Sequence, residues 1–246
     1  MTRFLPLPFL IALFVACAQA RDVPYVPTPE KVVERMLEVA KVGPNDVVYD
    51  LGSGDGRIVI AAAKNHGARG VGIDIDPQRV REARDNASRA GVANRVEFRE
   101  GNLFDANISE ATVVTIYLLS GINMKLRPKL LDLEPGTRIV SNTFTMEDWQ
   151  ADQTETVTDG CSSSWCTALL WIVPAKVAGT WNTPNGALTL TQNFQTITGT
   201  LGNQAIQGRL NGSEISFTAG NTKYTGTVDG NTMKIASPTA FTATKK

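Results

Sequence analysis

The sequence predicts an α/β fold, a seven-stranded and mostly parallel sheet with helices on both faces, followed by a small all-β domain. The first observation is that strand and helix patterns alternate over residues 47–173, which is typical of a parallel sheet. The second is a change of composition near Ala175, where charged residues give way to Thr, Asn and Gly in short alternating runs. We therefore divide the chain into a leader (1–20), an α/β domain (21–175) and an all-β domain (176–246).

The α/β domain opens with a proline-rich arm, residues 23–29, which cannot be helical before Pro29. Thr28 is predicted as the N-cap of the first helix and Pro29 as its first residue, because apolar residues then recur at helical spacing up to Ala40. Alternating strand and helix patterns follow at 47–49, 57–65, 70–73, 77–90, 96–99, 113–119, 124–133 and 137–144, and a final strand pair at 155–158 and 168–173.

The all-β domain contains turn signals at regular spacing. Gly and Asn or Asp occur together at residues 202–203, 211–212, 220–221 and 229–230, the pattern of two-residue hairpin loops. Apolar residues recur between these turns, which argues against a disordered low-complexity tail. The pattern predicts a meander that forms a bent sheet or a small barrel.

A glycine-rich loop, Asp50 to Gly56, stands between an apolar strand pattern and a helix pattern. Glycines at alternate positions supply the positive φ angles and close approach that such a turn needs. The dinucleotide fingerprint requires a further glycine where Arg57 stands, which argues against a bound pyrophosphate. The Asp50 carboxylate would repel phosphate but suits a cationic amino-acid group, as in S-adenosylmethionine. The loop therefore predicts a methionine-type cofactor.

The ends of the following strands supply groups that suit the rest of this cofactor. Asp74 can accept hydrogen bonds from both ribose hydroxyls, and Ile75 would pack on the adenine face. The Asn102 amide can meet the adenine amino group, and Leu103 would cover the ring. Tyr117 would bring an aromatic ring to the methyl-donor end. Since the carboxyl ends of parallel strands meet at one sheet edge, we expect these residues to form one site.

This joint pattern resembles the class I S-adenosylmethionine-dependent methyltransferases, which have a Rossmann-like fold, over residues 23–173. The resemblance implies cofactor contacts from the glycine loop (Asp50, Gly52, Ser53, Gly54 and Gly56), from Asp74 and from Asn102. Many class I members have aspartate where Asn102 stands. The chain contains no Asn/Asp-Pro-Pro-Tyr/Phe motif after the fourth strand, which disfavours methylation of DNA bases or side-chain amides.

The segments 24–27, 50–59 and 135–140 are more similar still to a subgroup of archaeal broad-specificity and mitochondrial protein-lysine methyltransferases. This similarity implies lysine as the acceptor. A small-molecule methyltransferase and a non-catalytic, exported module that binds an adenosine-type ligand remain alternatives. We expect Tyr25 and Thr28 to fold over the cofactor, and Tyr117 is the one candidate catalytic residue, acting through desolvation of the acceptor amine.

The N-terminus resembles an export signal. Arg3 precedes an apolar run over residues 9–18 that ends in Ala18-Gln19-Ala20, a small-x-small cleavage pattern. We expect cleavage after Ala20, no membrane span thereafter and a periplasmic or secreted location. A retained membrane anchor and lipid attachment at Cys17 are the alternatives. Because S-adenosylmethionine is made in the cytoplasm, export conflicts with the cofactor prediction.

Cysteine and charge content bear on three further questions: a disulfide, a metal site and a nucleic-acid partner. An oxidising compartment favours a disulfide between Cys161 and Cys166, and the single histidine, His66, leaves these two thiols unable to complete a zinc site. No metal is therefore expected. Lys plus Arg and Asp plus Glu both number 24, so no overall field attracts nucleic acid. We expect a protein or small-molecule methyl acceptor as the partner.

Overall fold

The structure is a computed structural model that describes residues 25–161 and 165–246. The predicted leader, its cleavage site after Ala20 and Cys17 lie outside the described residues. Within the described residues, no helix is long and apolar enough to cross a membrane. The helices are α1 (Glu30–Val39), α2 (Arg57–His66), α3 (Pro77–Arg89) and α4 (Ser120–Leu131).

Seven strands form the predicted α/β sheet, in the order β3-β2-β1-β4-β5-β7-β6. The strands β1 to β5 are parallel, and β7 lies antiparallel between β5 and β6. Their bounds are β1 (Val47–Leu51), β2 (Arg69–Asp74), β3 (Val96–Glu100), β4 (Val113–Ile116), β5 (Arg138–Asn142), β6 (Gln153–Thr156) and β7 (Thr167–Ile172).

Helices cover both faces of the sheet, as predicted. Val48 of β1 packs into a core with α1 and α2, whereas Tyr49, the next residue, packs into a core with α4 on the opposite face. Successive side chains of a strand point to opposite faces, so a strand buried on both sides is apolar throughout. The helix α3 completes a third cluster with α2 around Phe98 of β3.

Several predicted boundaries are wrong, among them the end of β5 and both ends of β6. Pro29, not Thr28, is the N-cap of α1, because the Pro29 carbonyl accepts the first helical hydrogen bonds, from Val32 and Val33. The N-cap of α1 makes no side-chain capping bond. The strand β4 ends at Ile116, because Leu119 already acts as the N-cap of α4, which begins four residues before the predicted start.

The all-β domain is a closed eight-stranded barrel in the order β10-β11-β12-β13-β14-β15-β8-β9. The predicted turns connect its hairpins, and Gly202, Gly212, Gly220 and Gly230 all have positive φ there. Buried side chains such as Trp181 fill the interior. The strands are β8 (Gly179–Thr183), β9 (Gly186–Asn193), β10 (Thr196–Leu201), β11 (Gln204–Asn211), β12 (Glu214–Ala219), β13 (Thr222–Asp229), β14 (Thr232–Ser237) and β15 (Phe241–Lys245).

The barrel packs against the α/β domain through the hairpin between β9 and β10. The Phe194 ring stacks on Trp149, with ring centroids 5.6 Å apart, and the Arg127 guanidinium lies 5.0 Å from the Phe194 centroid. The buried Gln195 side chain donates a 2.8 Å hydrogen bond to the Gln150 carbonyl. The barrel thus covers an apolar surface formed by the segment that follows β5.

Candidate active site

A cavity of about 220 Å³ opens at the carboxyl ends of the central parallel strands. In an open α/β sheet this edge, near the point where the strand order reverses, is where ligands bind. Of the described residues that line the cavity, none belongs to the barrel. The predicted site residues found in its lining are Tyr25, Thr28, Asp50, Gly52, Ser53, Gly54, Asp74, Ile75, Asn102, Leu103 and Tyr117.

The glycine loop has the predicted backbone conformation, with φ of 84° at Gly52, 52° at Gly54 and 80° at Gly56. The Gly52 amide donates a 2.8 Å hydrogen bond to the Ile73 carbonyl, which fastens the loop to the end of β2. A Cβ atom on Gly54 would overlap the Tyr25 ring. Gly56 differs from the prediction: it does not line the cavity but is the left-handed N-cap of α2, packed under Phe98.

Arg57, which stands where a dinucleotide loop has glycine, ties the loop to the N-terminal arm. Its guanidinium binds Asp55, with Nη2 2.6 Å from Oδ2, and donates a 2.9 Å hydrogen bond from Nη1 to the Thr28 carbonyl. Burial opposes ionisation of Asp55, but the hydrogen bonds from Arg57 outweigh it and lower the pKa of Asp55. The bond with Asp55 also raises the pKa of Arg57, so this pair stays ionised.

Asp50 is a buried carboxylate at the floor of the cavity, 3% exposed. Thr115 of β4 donates a 2.8 Å hydrogen bond from its hydroxyl to Oδ1 of Asp50. Burial, with smaller effects from the negative charges of Asp74 and Asp55, raises the pKa of Asp50 to about 7. Thr115 was not predicted, although it is the one polar residue in the apolar strand β4 and could have been noticed on that ground.

Asp74, the last residue of β2, is held by two backbone amides. Its Oδ2 accepts a 2.8 Å hydrogen bond from Gly54 and its Oδ1 a 2.9 Å bond from Asp76. Each carboxylate oxygen has a second lone pair, so both can still accept from a ligand hydroxyl. Asn102, beyond β3, accepts a 3.0 Å bond at Oδ1 from the Phe104 amide, which leaves its amide group as a donor beside Leu103.

The N-terminal arm lies over the glycine loop. The Tyr25 ring packs on Gly54, and the Arg79 guanidinium lies 4.9 Å from the ring centroid. Burial raises the pKa of the Tyr25 hydroxyl, and the neighbouring Asp55 raises it further. Thr28, also in the arm, is buried, and its carbonyl accepts a hydrogen bond from Arg57.

An aromatic cluster of Tyr117, Phe144 and Trp165 forms the opposite side of the cavity. The ring centroids of Tyr117 and Phe144 are 6.0 Å apart, and those of Phe144 and Trp165 are 6.3 Å apart. Burial raises the pKa of Tyr117. The cluster contributes apolar surface rather than an acid or base at neutral pH.

The two aromatic residues that were not predicted depend on local features of the chain. Thr143 has φ of 64°, an unusual value for a β-branched residue, and it turns the chain after β5 so that Phe144 lines the cavity. The predicted disulfide between Cys161 and Cys166 is present, and Trp165 precedes the second cysteine. Among the described residues, no group of three or more His, Cys, Asp or Glu side chains could hold a metal ion.

Comparisons with known proteins agree with this geometry. A family model described as the ANTKMT methyltransferase domain matches residues 50–153. A protein-lysine N-methyltransferase of Saccharolobus islandicus (strain REY15A) is 53% identical over 140 residues, 56% of this chain and 87% of the relative. The chain belongs to the class I S-adenosylmethionine-dependent methyltransferases, in their protein-lysine subgroup.

Two further relatives extend the comparison of this methyltransferase. A mouse adenine nucleotide translocase lysine N-methyltransferase is 35% identical over 130 residues, 52% of this chain and 56% of the relative, so the present chain spans little more than half of that relative. A crystal structure described as an RNA methyltransferase from Salinibacter ruber with S-adenosylhomocysteine has 57% identity and a TM-score of 0.58. It matches 62% of this chain and 96% of its own. The cofactor of the methyltransferase is accordingly S-adenosylmethionine.

Proposed function

We propose that this methyltransferase transfers the methyl group of S-adenosylmethionine to a lysine side chain of a protein. The observation that carries the proposal is the buried Asp50 carboxylate at the end of β1, facing a cavity whose other end is apolar and aromatic. The relatives named as lysine methyltransferases support the acceptor. The RNA named for the Salinibacter structure is the competing acceptor class.

The residues of the cavity fit the cofactor. Among the residues that the structure describes, none supplies a cation beside the buried Asp50, and a cofactor ammonium would supply one. The Ser53 hydroxyl is buried in the lining without a hydrogen-bond partner among the described residues, and it can bind the amino-acid carboxylate. We assign the ribose hydroxyls to Asp74 and the adenine to Asn102, with Ile75 and Leu103 on its faces.

When bound, S-adenosylmethionine supplies a methyl group on a positively charged sulfur, which a neutral amine can displace in line. The chain's own contribution is to hold donor and acceptor in contact and aligned. The arm residues Tyr25 and Thr28 exclude water from the cofactor side. The aromatic cluster around Tyr117 lowers the pKa of an entering lysine by desolvation, so the amine loses its proton to solvent before transfer.

The first experiment is calorimetric titration of purified protein with S-adenosylmethionine and S-adenosylhomocysteine, with Asp74→Ala as the control. We expect micromolar binding that the variant loses. Methylation with radiolabelled cofactor, followed by mass spectrometry of protein and of RNA fractions, then identifies the acceptor. Label on lysine supports the proposal, whereas label confined to RNA contradicts it, and a folded protein that binds neither compound contradicts the methyltransferase site itself.

We also propose that the protein is exported with its leader removed after Ala20, so that Cys161 and Cys166 are oxidised in a periplasmic or extracellular environment. N-terminal sequencing and thiol counting on protein from its native cells test this directly. An N-terminus at Arg21 and no free thiol support export. A retained leader with two reduced thiols in the α/β domain would instead mean that the domain faces the cytoplasm.

A further inference from the structure

In the part of the chain that the structure describes, the large exposed apolar side chains are concentrated at the cavity. Among the described residues, four large hydrophobic side chains are more than 40% exposed, and every one of them lines the cavity: Tyr25, Val26, Leu119 and Trp165. Scattered exposed apolar residues are normal, but a group of them around one opening marks a surface that another molecule covers. Tyr25 and Val26 belong to the arm on the cofactor side, whereas Leu119 and Trp165 do not, and their exposure calls for a different explanation.

Leu119 and Trp165 lie on the side of the cavity opposite to the adenosine residues. The sheet order puts β2 and β3 on one side of β1, and β4, β5 and β7 on the other. Asp74 ends β2 and Asn102 follows β3, whereas Leu119 follows β4 and Trp165 precedes β7. An acceptor that approaches from the side of β4 and β7 therefore meets these two residues, which we name the acceptor entrance.

The acceptor entrance is apolar and uncharged. The cavity-lining residues on this side are Tyr117, Leu118, Leu119, Ile122, Phe144 and Trp165, and none of them is charged. The arginines of the lining, Arg57 and Arg79, lie elsewhere and pair with Asp55 and Glu82. A nucleic acid would require unpaired lysine or arginine to neutralise its phosphates. The entrance instead suits the aliphatic stem of a lysine and apolar side chains beside it.

Trp165 is held in position by the residue that follows it. Cys166 is buried in the core formed with α1, its carbonyl accepts a 2.8 Å hydrogen bond from the Val157 amide, and its sulfur is bonded to Cys161. Trp165 contacts Phe144, the middle ring of the aromatic cluster. The tryptophan thus has a fixed position at the edge of the opening, in the connection between β6 and β7.

We propose that Leu119 and Trp165 are specificity-determining residues that select a lysine flanked by apolar side chains in a polypeptide. This inference rests on the proposed transfer to lysine. The flanking side chains would bury Leu119 and the Trp165 ring while the lysine passes along Tyr117 and Phe144 to the methyl group.

The test compares two short acetylated peptides, each with one central lysine and arginines at both ends. The residues on both sides of the lysine are leucine in one peptide and serine in the other. We expect the wild-type protein to prefer the leucine peptide by about tenfold or more in kcat/KM, the gain from burying one leucine-sized group. In Trp165→Ala and Leu119→Ala this preference falls about tenfold, whereas Trp165→Phe retains part of it.

Two controls separate selectivity from other effects. Leu131→Ala removes the same side chain from the opposite end of α4 and should keep the preference. Affinity for S-adenosylhomocysteine should be unchanged in all variants, because none of the substituted residues lies among the adenosine contacts. An unchanged leucine preference in both entrance variants, or an equal loss on both peptides, overturns the inference. If the wild-type protein binds S-adenosylhomocysteine but labels no lysine in peptides or proteins, the proposed function fails and the inference fails with it.

Discussion

Thr115 donates a 2.8 Å hydrogen bond to Asp50, and both residues are almost completely buried beneath the cofactor cavity. The bond favours the ionised carboxylate, but burial acts in the opposite direction and is the larger effect, so the pKa of Asp50 is raised to about 7. The carboxyl group therefore changes charge within the neutral pH range. We therefore expect its protonation state to affect both cofactor affinity and the stability of the fold.

Cofactor binding should release a proton from Asp50 below pH 7. The acid is protonated there in the free protein, and the ammonium of a bound cofactor stabilises the carboxylate. Affinity for S-adenosylhomocysteine should then increase up to about tenfold per pH unit between about pH 5.5 and 7 and level off above. Titration calorimetry in two buffers of different ionisation enthalpy measures the released proton. Asp50→Asn should bind more weakly and release none, and a pH-independent wild-type affinity would contradict the assignment.

The Asp50 carboxyl group should also make the cofactor-free protein less stable as the pH rises. Because the pKa of Asp50 is higher in the folded than in the unfolded state, the folded state binds more protons between about pH 4 and 7. Its contribution to the free energy of unfolding is complete below about pH 4 and declines up to about pH 7, by as much as about 4 kcal/mol. Urea unfolding of wild type and Asp50→Asn should diverge with pH in favour of the variant. A constant difference between them would contradict the raised pKa.

The cofactor side of the cavity was largely predictable because its residues are local in sequence. The glycine loop and Asp74 each stand at the end of a strand, where strand pattern and turn chemistry identify them. The order of the parallel strands then places them at one sheet edge, so no long-range contact has to be predicted. Even so, the pattern did not distinguish Gly56, which caps α2 outside the cavity lining, since a glycine at a helix N-cap and a glycine against a ligand have the same backbone requirement.

The acceptor side could not be predicted in the same way. Phe144 reaches the cavity through a left-handed Thr143, a conformation that β-branched residues rarely adopt and that no sequence pattern signals. Trp165 reaches the cavity from the connection between β6 and β7. Thr115 hydrogen-bonds Asp50 on the neighbouring strand, and the two residues are 65 positions apart in sequence. These contacts depend on tertiary packing rather than on local propensity.

Removing the Tyr25 ring should weaken cofactor binding. The ring packs on Gly54 and lies under the Arg79 guanidinium, so Tyr25→Ala uncovers the glycine loop. We expect the Kd for S-adenosylhomocysteine to rise by about 5- to 30-fold, equivalent to about 1 to 2 kcal/mol. Tyr25→Phe keeps the ring and should lose less. Unchanged affinity and turnover in Tyr25→Ala would show that the arm does not cover the cofactor.

Replacing Phe194 should destabilise the protein without affecting the cofactor. Its ring stacks on the buried Trp149 and under Arg127, whereas no barrel residue lies among the described residues that line the cavity. We expect Phe194→Ala to lower the free energy of unfolding by about 2 kcal/mol, below the usual cost for a fully buried phenylalanine because Phe194 is only partly buried. Phe194→Tyr retains the stacked ring and is the matched control. Chemical unfolding and calorimetric binding measure the two effects separately.

Deleting residues 177–246 should destabilise the protein more than Phe194→Ala does. Truncation removes Phe194 and also Gln195, whose side chain satisfies the Gln150 carbonyl, and it exposes the apolar surface around Trp149. A large exposed apolar surface promotes association, so we expect lower solubility and a lower Tm in the truncated protein. Affinity for S-adenosylhomocysteine should survive in the fraction that stays folded. If solubility, Tm and methyl transfer are all unchanged, the barrel neither covers the α/β domain nor recognises the acceptor, and its role lies on its outer surface.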